Sequence, residues 1–120
     1  MQTYYQTSGL YQIDPCVRAH GYSGHGPGLN NPAMEADPNI GPIPAGAWHI
    51  GAAADHPRLG PCAMRLTPVG HDAHGRTGFF IHGDNADGNQ SASHGCIILA
   101  YAMRQAIDAR PDRALEVVAQ

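Results

Sequence analysis

The chain has 120 residues, 15 of them Gly and 10 Pro, and only 14% are charged; that fits one modest core with dense turns and few long helices. Every basic residue is Arg and the formal net charge is -3; with no basic stripe and no RNA-binding aromatic motif, a nucleic-acid partner is excluded. No segment approaches the roughly 20 apolar residues of a membrane helix, so membrane insertion is excluded as well.

In chain order, residues 3–6, 11–13 and 16–22 read as short strands, separated by the turn signals Ser8-Gly9 and Asp14-Pro15. The opening residues carry neither a basic n-region nor an apolar h-region, so no Sec leader is expected there. Residues 23–44 form a Gly-, Pro- and Asn-rich segment too long for a simple turn, and ordered loops of that length are usually functional. A strand is expected at 47–50, a half-buried alternating strand at 63–67 and a buried central strand at 78–82. Residues 99–109 place Leu99, Met103, Ala106 and Ile107 at helical spacing, and Arg110-Pro111 ends that helix. A last strand covers 115–118. The expected fold is mainly β, a sandwich or meander with one C-terminal α-helix, as a single domain over 1–120.

Cys96 and the histidines carry the chemistry. A thiol attacks a carbonyl well only as the thiolate, a few per cent of the population at neutral pH. A nearby base or a helix N-terminus corrects this. His82, at the end of an apolar run, or His94, in Ser93-His94-Gly95-Cys96, is positioned in sequence to supply the base. Gly95 lets the backbone approach a substrate, and the N–H groups of Gly95 and Cys96 can face an oxyanion. The second ring nitrogen of His82 would be held by a backbone carbonyl or by Asp84. Cys16 and Cys62 are either a disulfide, in an oxidising compartment, or two buried thiols. His71 and His74 read as polar loop residues before metal ligands, and His20 and His25 could border a pocket.

These pieces resemble a family. Pro44-Ala45-Gly46-Ala47-Trp48, His82-Gly83 and Ser93-His94-Gly95-Cys96-Ile97 are similar to the YkuD-type L,D-transpeptidases of bacterial cell-wall metabolism. Gly21-Tyr22-Ser23-Gly24, Leu29-Asn30-Asn31-Pro32, Gly41-Pro42-Ile43-Pro44 and Phe80-Ile81-His82-Gly83-Asp84 look like the type VI secretion L,D-transpeptidase effectors. The resemblance implies a YkuD-like fold and a cysteine enzyme that needs no cofactor or metal. Cys96 would attack a stem-tetrapeptide carbonyl, His82 would take the thiol proton, the Gly83 carbonyl would orient the ring, and Gly95 and Cys96 would hold the oxyanion. Terminal D-alanine would leave, and water or another D-amino acid would resolve the thioester. Tyr22, Ser23, Asn31, Ser93, His94 and Asp84 are the expected substrate-binding residues, with His94 dispensable. Ile98 stands where housekeeping relatives have Arg or Asn, so Arg65 is the expected substitute anchor.

The partners so implied are a peptidoglycan stem peptide, a cognate immunity protein and a type VI tube or spike component. The protein would be made in the cytoplasm and act in the periplasm of target bacteria. Two alternatives stand beside this reading: a housekeeping or phage-borne transpeptidase, and a metal-binding module built on His82, Asp84, His94 and Cys96.

Overall fold

A computed structural model describes residues 1–13, 16–85 and 93–120. The expected turn at Asp14-Pro15, and residues 86–92 of the polar segment after His82, lie outside the described residues.

The chain opens with three antiparallel strands, β1 (Gln2–Tyr5), β2 (Leu10–Ile13) and β3 (Val17–His20). Alternation decides which side chains go inward: Tyr4, Tyr11 and Ile13 are buried, and Tyr4 and Tyr11 pair across the ladder with ring centroids 6.4 Å apart. The expected strand over 16–22 is broken at Gly21. Beyond that break the chain forms a separate two-residue strand, β4 (Tyr22–Ser23).

The remaining strands are β5 (Gly46–Ile50), β6 (Ala54–His56), β7 (Gly60–Val69), β8 (Phe80–His82), β9 (Ile97–Ile98) and β10 (Ala114–Val118). Their order is β3-β2-β1-β10-β5-β7-β8-β9-β4, with β6 paired to β7 off this path. β3 and β4 stand at opposite ends of the order, yet only Gly21 separates them. The sheet therefore curls almost into a barrel. Gly21 fits this closure because its N–H donates to Gly9 O (2.8 Å) while a Cβ there would run into the Ile98 carbonyl.

β7 is the spine. Its C-terminal half pairs with β5, its middle with β8 and its start with β6. β6 was not expected, because Ala53, Ala54 and Asp55 show no apolar alternation. The mainly β fold with one C-terminal helix is as the sequence indicates. That helix, α1 (Tyr101–Asp108), begins later than expected: Leu99 is still extended and its N–H donates to His82 O at 3.0 Å. Met103 and Ile107, one turn apart, bury against Trp48, Met64, Ile81, Ile97 and Leu115 in the main core. Among the described residues no helix is long and apolar enough to cross a membrane.

The segment over 23–44 is not featureless. It contains two 3₁₀ turns, Gly26–Gly28 and Pro32–Met34, each with Pro early in the turn. Ile43 is fully buried and pins the segment's far end to the core.

Candidate active site

β8 and β9 run parallel, with Ile81 opposite Ile97 and His82 opposite Ile98. Ile81 and Ile97 are fully buried and point to the main core. Alternation therefore sends Phe80, His82 and Ile98 to the other face, and Cys96, one residue before β9, goes with them. Cys96 packs there with Tyr22, Ile98, Leu29 and Phe80. His82 and Cys96 line one cavity of about 410 Å³, together with Phe80, His56, Arg58 and His94. A neighbouring cavity of about 300 Å³ holds His82 but not Cys96, with Arg58, Asp84 and His94 in its wall.

His82 is buried, and its Nδ1–H donates to the Gly83 carbonyl at 2.8 Å. That bond fixes the tautomer and leaves Nε2 as the basic nitrogen. Burial lowers the His82 pKa; Arg104 and His56 push the same way, while the Gly83 bond and Asp84 oppose them. The Cys96 thiol donates weakly to Gly78 O at 3.6 Å. Burial pushes its pKa up to about 11, against the opposing pull of the Phe80 backbone N–H and the Arg76 guanidinium. At neutral pH the pair is therefore a neutral thiol and a neutral imidazole. This differs from a thiol activated by a helix N-terminus, since β9 and two further residues separate Cys96 from α1.

The loop carrying Cys96 is stapled by two buried serines. Ser93 Oγ donates to Cys96 O (2.6 Å) and accepts from Gly24 N (2.8 Å) and Gly95 N (3.1 Å). One donor and two acceptor sites exhaust a hydroxyl. Ser23 Oγ donates to Gly95 O (3.1 Å) and accepts from Ile43 N (2.8 Å). Both serines are fully buried, so they hold the loop rather than face the cavity as expected. The Gly-Tyr-Ser-Gly, Gly-Pro-Ile-Pro and Ser-His-Gly-Cys blocks thus meet through two hydroxyls. Gly95 has φ +130° and a Cβ there would collide with the Arg76 guanidinium. Its N–H, expected at the oxyanion, is engaged by Ser93.

The other expected residues divide. His94 is exposed in the cavity wall, its Nδ1–H donating to Asn39 O (3.0 Å) and its ring edge-on to His25 at 4.8 Å. His25 in turn donates from Nδ1 to Ser93 O at 2.8 Å, so it borders the loop that carries Cys96. Tyr22 OH donates to Asp84 Oδ1 (2.6 Å), and both line a third cavity with Arg104 and Ile98. Asn31 serves its own turn: Oδ1 accepts from Ala33 N and Nδ2 donates to Pro27 O. Arg65 is exposed, with its guanidinium 4.8 Å from the Phe80 ring centroid. Cys16, Cys62 and Cys96 are all free thiols. His71 binds Ala47 O through Nε2 (2.9 Å), and His74 pairs with Glu35 (2.7 Å).

Three residues at or beside the site drew no attention in the sequence. Arg76 donates from Nη1 to Glu35 O and Pro42 O, and from Nη2 to Gly41 O and His94 O. It ties the 35–42 loop to the residue before Gly95. His56 Nδ1 accepts from both Arg58 N and Leu59 N (3.1 Å each), and its ring packs edge-on to Phe80 at 5.3 Å. That fixes the tip of the β6–β7 hairpin, and with it Arg58, over the cavity. The only sequence signal was a polar Pro- and Gly-punctuated tip, His56-Pro57-Arg58-Leu59-Gly60.

Among the described residues no three His, Cys, Asp or Glu side chains converge to hold a metal ion.

No curated protein matches the chain. The model of the Tlde1 domain matches residues 17–119, which takes in the serine-stapled loop, His82 and Cys96. The chain belongs to the Tlde1-domain family, the type VI L,D-transpeptidase effectors.

Proposed function

We propose that this chain is a single catalytic domain that trims peptidoglycan stem tetrapeptides, with Cys96 as nucleophile and His82 as base. The observation that carries the proposal is the shared cavity of His82 and Cys96, with His82 Nδ1 committed to Gly83 O and Nε2 free to accept. In the neutral resting pair, the thiol proton moves to Nε2 as sulfur attacks the carbonyl of the third stem residue. Negative charge develops on the carbonyl oxygen, and the Cys96 N–H stabilises it. Gly95, whose N–H is held by Ser93, contributes its backbone shape instead. Collapse breaks the bond to the terminal D-alanine, whose nitrogen takes the proton from His82. Water then attacks the thioester, giving the tripeptide and restoring the thiol; a second D-amino acid in place of water gives exchange.

Hydrolysis removes the tetrapeptide donor that wall cross-linking consumes, and exchange alters its terminal residue. With the family placement, this supports an antibacterial role in the periplasm of a target cell, delivered by a type VI tube or spike component and neutralised by a cognate immunity protein. Mass analysis of muropeptides is the test. Wild-type protein should convert tetrapeptides to tripeptides, and Cys96→Ala and His82→Ala should not; conversion by either variant refutes the assignment.

A further inference from the structure

Two cavities meet at His82, and one cationic side chain lines both. In the reaction above, His82 must return its proton to the leaving amine nitrogen, so the leaving amino acid lies on the His82 side of the sulfur. Its α-carboxylate is two bonds from that nitrogen. The negative charge is therefore carried toward the cavity that contains His82 but not Cys96. The arginine in that wall is Arg58.

Arg58 differs from the other arginines around the site. Arg76 and Arg104 spend their guanidinia on backbone carbonyls. Arg65 lies over the Phe80 ring and is absent from both cavity walls. Among the described residues the Arg58 guanidinium makes no hydrogen bond and no ion pair, although its backbone is fixed by His56. It is an exposed cation with unspent donors, carried at the edge of the cavity on a backbone that His56 fixes. The carboxylate that shares this wall, Asp84, directs Oδ1 to Tyr22 OH and Asn85 N (2.6 and 2.9 Å). Ile98, buried against Tyr22, offers no charge or hydrogen bond to a carboxylate.

We propose that Arg58 binds the free α-carboxylate of the leaving D-amino acid and so restricts the enzyme to the end of the stem peptide. The inference rests on the proposed reaction. A guanidinium fork matches a carboxylate and gains nothing comparable from a neutral amide.

The test uses the full chain and two synthetic tetrapeptides, one with a free C-terminal carboxylate and one with a C-terminal amide, with released tripeptide measured by chromatography. Wild-type protein should favour the acid by roughly 10- to 100-fold in kcat/KM, the range for losing a charged hydrogen-bond partner. Arg58→Ala should bring that ratio to about unity while turnover of the amide changes by less than about twofold, which also reports a folded site. The inference is overturned by an Arg58→Ala variant that keeps the wild-type preference, by one in which both substrates fall together, or by wild-type protein that makes no distinction. Wild-type protein that cleaves neither substrate refutes the reaction itself, and the role of Arg58 with it.

Discussion

A buried thiol with a pKa of about 11 attacks little by itself, so in the proposed reaction its reactivity comes from His82 at the moment of attack. Alkylation separates the two contributions. In a Cys16→Ser/Cys62→Ser background, iodoacetamide should modify Cys96 slowly at neutral pH and faster as pH rises toward about 11; rapid neutral alkylation would contradict a protonated resting thiol. Turnover depends on the other partner. The proposed attack needs His82 neutral, and burial holds its pKa below 6.5. kcat/KM should therefore persist through mildly acidic pH and fall only below the usual imidazole range. The same two shifts contribute to stability. Cys96 is raised from 9.0, so its contribution is complete below pH 9 and is lost as pH climbs to about 11. The loss is about 2–3 kcal/mol at about 1.4 kcal/mol per unit. Cys96→Ala should flatten the first part of the alkaline limb, between about pH 9 and 10, in a series of denaturant melts; above pH 10 the buried Tyr4 and Tyr11 phenols, both raised, add a loss of their own. His82 is lowered, so its contribution is present above pH 6.5 and is lost as pH falls from there to the folded value.

At the scale of elements, the clamp built by Arg76 joins pieces that neither local pattern nor periodicity connects. Its four carbonyl acceptors lie on residues 35, 41, 42 and 94. Arg76→Ala should cost about 2–4 kcal/mol, and the 35–42 loop should become the first site of limited proteolysis. Lysine is expected to rescue poorly, because one ammonium cannot reproduce the fork. Ser93→Ala leaves the buried Gly24 and Gly95 amides without their acceptor; kcat should fall more than KM rises, because the loop that aims Cys96 is what loosens. These contacts also mark what the sequence could convey. His82 and Cys96 were visible because a base and a thiol bracket two apolar runs. Ser23 and Ser93 read from sequence as binding groups, because sequence does not say which way a hydroxyl points. Arg76 and Arg58 carry no signal in sequence, since their meaning lies in partners far along the chain or in a cavity wall. β9, two residues long, is shorter than any window that detects period-two alternation.

For the whole molecule, the closure at Gly21 is the vulnerable joint. Gly21→Ala sets a methyl group against the Ile98 carbonyl, on the strand that comes after Cys96. A thermal melt should show a loss above about 2 kcal/mol, the scale of backbone misfit in a core; an unshifted melt would mean that the barrel opens there at little cost.

The parallel pairing of β1 with β10, Gln2 opposite Leu115, has a kinetic consequence. The first strand has no lasting neighbour on that side until the last one has been synthesised. Loop-closure entropy over almost the full length must be met before the ladder returns any free energy, which places the chain among slow, high-contact-order folders. A nascent chain on the ribosome cannot assemble the β1–β10–β5 wall, and refolding from denaturant should run on the millisecond-to-second scale of β-barrels rather than that of helical bundles.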